Sequence, residues 1–305
     1  MFKSAIVYRI ESTWAPISAA ALAEALAQRP FVACGPTERH TSGWVSPRKE
    51  ANSPLVEAIG GHYILKLLSQ ARILPSSAVK DELEERLDAL EESTGRRPKG
   101  QAKRDLREQI EIDLLPRAFT KTGATLVWLD PHARLLYISA GSQNKADAIS
   151  TELIECLGNL PLKLVQTITS PATAMSTWLR EQFSPAAFSL DQECELRQPD
   201  EGKATVRYSR HNLETDEVVK HIEQGKLPTQ LAMTFNRRIS FILTDTMQIR
   251  KIKVLDVVIE DSASATGGKD DSFDADVAIM TGELSKLFPA LLEALDGELV
   301  YGDDI

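Results

Sequence analysis

Val79, Leu83, Leu87 and Leu90 recur at spacings of four, four and three, which puts one apolar stripe on a helix opened by Pro75-Ser76-Ser77. Its opposite face is acidic, with Asp81, Glu82, Glu84, Glu85, Asp88, Glu91 and Glu92, and Gly95 and Pro98 break it. Leu106, Ile110 and Leu114 align in the same way and predict a second helix over residues 103–115. Two helices joined by a short polar turn predict an antiparallel hairpin, an arm whose turn is basic.

Short apolar or alternating runs predict strands over residues 2–10, 31–34, 63–68, 125–130, 135–140 and 162–168. A strand-rich stretch follows over 188–196, 204–208, 231–235, 239–243 and 249–255. Further helices are predicted over 18–28 behind a Ser18 cap, 143–157 closed by Gly158, and 172–183 behind Ser170-Pro171. Two more fall at 216–224 and 282–295, with Asp274 or Thr281 as candidate caps for the last. Gly43-Trp44-Val45 reads as a turn and residues 262–268 as a polar loop. No regular βαβ period or internal repeat emerges. The predicted class is α+β, mostly antiparallel sheets with packed helices and a helical hairpin arm. Five sub-lobes of one unit are expected: 1–74, the arm 75–120, a central 121–187, a strand-rich basic 188–255 and an acidic 256–305.

Composition narrows the class. The 305 residues are 43% apolar, too many for a disordered chain. No apolar run approaches the roughly 18 residues that span a bilayer, and Tyr8-Arg9-Ile10-Glu11 leaves no room for a secretory core, so a cytoplasmic protein without membrane contact is expected. Cys34, Cys156 and Cys194 are far apart and odd in number, which suits buried free thiols in a reducing compartment.

Charge changes the picture more. The net charge is −9, yet residues 256–305 carry thirteen acidic groups against Lys269 and Lys286. The remainder of the chain is slightly basic. Arg96, Arg97, Lys99, Lys103, Arg104, Arg107, Arg117 and Lys121 crowd one segment. Lys203, Arg207, Arg210, Lys226, Arg237, Arg238, Arg250, Lys251 and Lys253 populate another. Ordinary solvated surface is one reading; phosphate contact, which needs only positive potential, is the other. No helix-turn-helix, zinc-finger or RNP signature accompanies them, so binding would be largely sequence-independent.

Catalytic signals are weak. The five histidines lack i, i+4 spacing, and neither a metal nor a cofactor is expected. Gly267-Gly268-Lys269 lacks the first glycine and the hydroxyl of a phosphate loop. Ser77-Ala78-Val79-Lys80, Lys121-Thr122-Gly123 and Ser142-Gln143-Asn144 mimic the elements of serine acyl-transfer enzymes, but in the wrong order. A non-enzyme is expected, with acyl transfer as a remote alternative.

Several short motifs share an order with a known family. They are Phe2-Lys3-Ser4 with Val7-Tyr8-Arg9, Gly43-Trp44-Val45, Ile73-Leu74-Pro75-Ser76, Leu114 to Phe119, His221-Ile222-Glu223 with Gly225-Lys226, and Phe273 to Asp276 with Met280 to Leu284. Together they resemble the recombination-associated protein RdgC family over essentially the whole chain. The resemblance implies a bacterial, nucleoid-associated DNA-binding protein that forms a ring-shaped homodimer with a positively lined hole for duplex DNA. It also implies little sequence preference and restraint of a RecA-type recombinase by competition for DNA; single-stranded DNA stays open as a second ligand.

By position, Lys226 matches a family basic residue and is the first DNA-contact candidate. Arg210 keeps a family charge, whereas His211 departs from the amide that follows it in relatives. Arg117 is a further candidate and equally suits an ion pair with a neighbouring carboxylate. Charge alone adds Arg96, Arg97, Lys99, Lys103, Arg104, Arg107, Arg237, Arg238, Lys251 and Lys253. Phe119 is the proposed dimer anchor, with an intramolecular core position as its alternative. The basic groups are expected toward the hole and the acidic residues 256–305 outward. The competing reading makes that acidic region a docking surface acting directly on the recombinase.

Overall fold

The computed structural model describes residues 2–48, 50, 53–258 and 272–300. Twelve strands form one sheet in the order β2-β4-β5-β6-β1-β12-β11-β10-β8-β9, with β3 added to β4 and β7 to β1. They are β1 (Ser4–Ile10), β2 (His40–Val45), β3 (Glu57–Ile59), β4 (His62–Ile73), β5 (Phe119–Asp130) and β6 (Leu135–Ile138). The rest are β7 (Leu162–Leu164), β8 (Phe188–Arg197), β9 (Thr205–Ser209), β10 (Leu227–Phe235), β11 (Ile239–Thr244) and β12 (Ile249–Val254). Every pairing between these strands is antiparallel. The expected class therefore holds.

Strand β1 joins the two halves. Ser4 and Ala5 pair with Arg250 and Ile249 of β12, while Ile6 to Arg9 pair with β6 on the other edge. In one half, β1, β6 and the stretches of β4 and β5 beside them are buried on both faces, while the arm-side ends of β4 and β5 are not. Ile6, Tyr8, Leu65, Val127 and Leu136 pack under α1 (Ala19–Leu26) and α4 (Gln143–Leu157). Their neighbours Ala5, Val7, Ile64, Trp128 and Tyr137 point to a second core with α7 (Ser272–Ala294). Period-two side chains feeding two cores explain why Leu135-Leu136-Tyr137-Ile138 is apolar throughout.

The half built from β8–β12 is covered on one face only. Leu231, Met233, Phe241, Leu243, Ile249 and Ile252 join α5 (Pro171–Glu181), α6 (Asp216–Glu223) and α7 in the second core. The other face is polar.

The arm consists of α2 (Ser76–Thr94) and α3 (Gln101–Leu114), with a small core of Val79, Leu83, Leu87 and Ile110. Gly95 ends α2 at φ +72°, the left-handed cap that glycine takes without a Cβ clash. Arg72 fastens the arm's base, donating from its guanidinium to the carbonyls of Gly35, Leu115 and Ala118 at 3.0, 3.3 and 3.1 Å.

Four local expectations need correction. Residues 31–34 form no strand, although Phe31 N donates to Trp44 O at 3.2 Å. Gly43 lies within β2 rather than in a turn: a Cβ there would meet the Phe31 backbone at 2.4 Å, so only glycine permits this approach. Only Leu162–Leu164 of the run 162–168 enters the sheet. The last helix begins at Ser272, ten residues before the expected start, so neither candidate cap precedes it: Asp274 lies in its first turn, and Thr281 is interior and donates to Val277 O at 2.9 Å. The predicted loop 262–268 lies outside the described residues. None of the helices among the described residues is long and apolar enough to cross a membrane.

Candidate nucleic-acid interface

The uncovered face of β8–β12 gathers the strongest set of cations. On β9, buried Tyr208 forces Arg207 and Ser209 to the opposite, solvent side. On β12, Ile249 and Ile252 point into the core while Lys251 and Lys253 are exposed. Three open hollows run along this face. One of about 670 Å³ is lined by Arg210, Ser240, Lys251 and Lys253 together with Asp191 and Glu193. A second, about 630 Å³, lies between Ser189, Thr234, Arg237 and Arg238, and a third, about 260 Å³, between Glu195, Arg207 and Lys251. Ala232 and Ile242 also line the first hollow yet remain almost inaccessible.

Each of the three carboxylates that line these hollows has a donor. Glu193 lies 2.7 Å from Lys251 Nζ. Burial pushes the Glu195 carboxyl up, but the Thr229 hydroxyl (2.8 Å), Arg207 (2.6 Å) and Arg197 (2.7 Å) outweigh it and leave it below the ordinary range. Asp191 accepts from Thr234 Oγ1 at 2.8 Å, and burial raises its pKa above the ordinary carboxylate range. Arg210, Arg237 and Lys253 make no ion pair among the described residues, so their charges face outward.

Other predicted contacts lie elsewhere. Lys226 follows α6, on the helix-covered side, with Nζ 3.2 Å from His221 Nδ1. His211 stacks obliquely near the Tyr208 ring at 5.1 Å, and its Nδ1 is buried without a hydrogen bond. Burial first, then Glu217, pushes the Tyr208 hydroxyl up to about 12. Arg238 is turned inward and donates to Glu283 of α7 at 3.0 Å.

The arm splits its cations into two groups. Arg97 folds back onto α2 and pairs with Glu84, Asp88 and Glu91. Hydrogen bonds from Arg97 and then Lys103 hold the Glu84 carboxyl below its usual range. Lys103 lies 3.4 Å from Glu84, and Arg107 lies 3.1 Å from Glu111. Arg96, Lys99 and Arg104 have no such partner among the described residues, and all three are exposed. Arg117 is exposed in the one-turn helix Leu115–Arg117 and also lacks a carboxylate partner among the described residues. Phe119, the next residue but one, is solvent-exposed rather than a core side chain.

Sequence reasoning passed over the cations that hold the chain together. Arg48 joins Glu57 at 2.9 Å and Asp274 of α7, and its guanidinium covers the Phe273 ring at 4.9 Å. Arg9 pairs with Glu298. Thus Asp274, Glu283 and Glu298, all from the acidic end, bind cations of the body instead of facing only outward; residues 259–271 and 301–305 lie outside the described residues. The acyl-transfer candidates sit on three separate elements, Ser77 and Lys80 on α2, Lys121 to Gly123 on β5 and Ser142 at the start of α4. Among the described residues, no group of three or more His, Cys, Asp or Glu side chains is placed to hold a metal ion.

Comparison with known proteins gives this arrangement a family. A family model described as "Putative exonuclease, RdgC" matches residues 1–298. The chain is 40% identical over 302 residues to the recombination-associated protein RdgC of Dechloromonas aromatica, covering 98% of each chain. It is 39% identical over 298 residues to the protein of that name from Janthinobacterium sp. (strain Marseille), again across 98% of each. With its full-length match and its collinear motifs, the chain belongs to the RdgC family of recombination-associated proteins.

Proposed function

We propose that this protein binds duplex DNA without marked sequence preference, as a ring-shaped homodimer, and thereby limits the access of a RecA-type recombinase. In this reading it cuts nothing. The observation that carries it is the uncovered sheet face, where Arg207, Arg210, Arg237, Lys251 and Lys253 lie together and the lining carboxylates Asp191, Glu193 and Glu195 are already engaged. Such a surface meets phosphates through charge, and its strands present no helix to read base edges in a groove. The unpaired arm cations Arg96, Lys99 and Arg104, with Arg117, extend the same potential.

Self-association rests on a second feature. Phe119, Ile73 and Ile112 are large apolar side chains left in solvent around the arm. Dimerisation through the arm covers them and brings two basic faces around one duplex. The competing idea, an acidic region 256–305 that grips the recombinase directly, is weakened because Asp274, Glu283 and Glu298 are spent on the chain's own cations.

The test is competition between duplexes of equal length and unrelated sequence, read by fluorescence anisotropy. The proposal expects affinities within a few-fold of one another. A preference above about tenfold, or 1.4 kcal/mol, for one sequence contradicts it. Recombinase filament assembly on the same DNA should slow in proportion to the DNA occupied.

A further inference from the structure

Among the described non-glycine residues with left-handed φ are five cations: Arg134 (53°), Lys203 (45°), Arg210 (54°), Arg237 (57°) and Lys251 (48°). A side chain there costs free energy that glycine does not. For Arg134 the fold supplies a reason, because its guanidinium donates to the carbonyls of Glu11 and Trp14, both at 3.1 Å. Arg210 and Arg237 have no such internal use, and Lys251 has only the surface carboxylate of Glu193.

Each of the three sits at a different backbone device on the uncovered sheet face. Arg237 is the second central residue of the turn closed by Arg238 N donating to Phe235 O at 2.8 Å, with Asn236 also left-handed at 47°. Turns of this hand favour Asn followed by Gly, and here the glycine position holds arginine. Lys251 is the added residue of a β-bulge: between Ser240↔Lys253 and Ile242↔Arg250, two steps on β11 face three on β12. The bulge resets the alternation, so Ile249 and Ile252 both stay buried while Lys251 and Lys253 both face solvent. Arg210 ends β9, where His211 N returns to Gln192 O at 3.2 Å.

We infer that Arg210, Arg237 and Lys251 are phosphate-contacting residues whose charge is retained against the backbone's preference for glycine. The inference rests on the DNA-binding reading and adds to it the backbone device that singles out these three of its cations. Arg210 and Lys251 line the first hollow and Arg237 the second, so all three left-handed cations border the row that the sheet offers to a sugar–phosphate backbone.

The experiment replaces each residue in the full-length protein by glycine and, separately, by alanine. Both changes remove the charge, but only glycine relieves the backbone. Each glycine variant is expected to melt at or above its alanine counterpart, the reverse of the order in ordinary strands. Both variants at a site should bind a short duplex about fivefold more weakly, and the log–log salt slope should shrink by about 0.9 per cation removed. Wild-type affinity and slope in the glycine variants, beside a wild type that binds steeply with salt, overturn the inference and leave the DNA reading standing. A wild type that does not bind, or binds without salt dependence, overturns the reading itself. Alanine variants more stable than glycine variants at all three sites remove the backbone argument.

Discussion

Ile73 and Phe119 pair directly across β4 and β5, and both side chains lie in solvent, 46% and 86% exposed. Opposed residues of an antiparallel pair share a face, so they form one apolar patch at the root of the arm. Phe119 has almost no packing within its own chain to lose. Phe119→Ala should therefore change stability by less than about 0.5 kcal/mol. The same change should weaken self-association at least tenfold in sedimentation analysis, the size of effect expected of an aromatic anchor. A large drop in melting temperature with unaltered self-association would place Phe119 in a core.

Arg238 separates cations that hold the fold from those of the uncovered sheet face. Its partner Glu283 keeps a side chain only 5% exposed, and the Glu283 Oε2 atom already lacks a hydrogen bond. Removing the guanidinium leaves a buried carboxylate whose remaining cation among the described residues is the more distant Lys286 ammonium, 3.7 Å away. Arg238→Ala should cost about 2 kcal/mol in urea unfolding, because an uncompensated buried charge is expensive. Its DNA-binding salt slope should stay close to wild type. Unchanged stability with a reduced slope would make Arg238 a phosphate contact instead.

His62 supplies a pH dependence. Burial beside Trp128 lowers its pKa, the Asp130 carboxylate 3.5 Å away opposes that shift, and His132 adds to it. A folded-state value below the unfolded value of about 6.5 means the unfolded chain binds the proton more readily. Stability from this group is complete above that value and declines as pH falls through and below it. His62→Gln should flatten the loss of the urea midpoint between neutral and mildly acidic pH. A steeper loss in the variant contradicts the assignment.

End-labelled duplex incubated with the protein and Mg²⁺ or Mn²⁺ should keep its full length. The reason lies in the carboxylates of the uncovered sheet face: Glu193, Glu195 and Asp191 are each held by a lysine, an arginine or a hydroxyl. Progressive shortening that survives repurification would instead reveal a nuclease.

Much of this architecture was legible in local signals. Ser18 and Ser170 cap α1 and α5 as their positions suggested, accepting from Ala21 N and Thr173 N, both at 3.2 Å. Gly158 closes α4 at φ +71°. The Ile249–Ile252 spacing of three, instead of two, was a readable sign of the bulge at Lys251. Long-range pairings were not readable. Arg48 meets Asp274 across 226 residues, and no periodicity distinguishes that arginine from a solvated one. The two groups of arm cations also look alike in sequence: Arg96 and Arg97 are neighbours, yet only Arg97 reaches the acidic face of α2. Charge counts located the basic segments; the covering of one sheet face decided which of their members meet solvent.

The central claim is that the uncovered face of β8–β12 binds DNA through its cations. Its most direct test is the affinity for duplex DNA across a salt titration, in wild type and in a variant carrying Arg207→Ala, Arg210→Ala and Lys253→Ala. The account predicts a steep linear fall of log affinity with log salt in wild type, and a slope shallower by about 5.4 in the variant, because three substitutions in each of two protomers remove six cations at about 0.9 each. Identical slopes for the two proteins, or a wild-type affinity indifferent to salt, would contradict it.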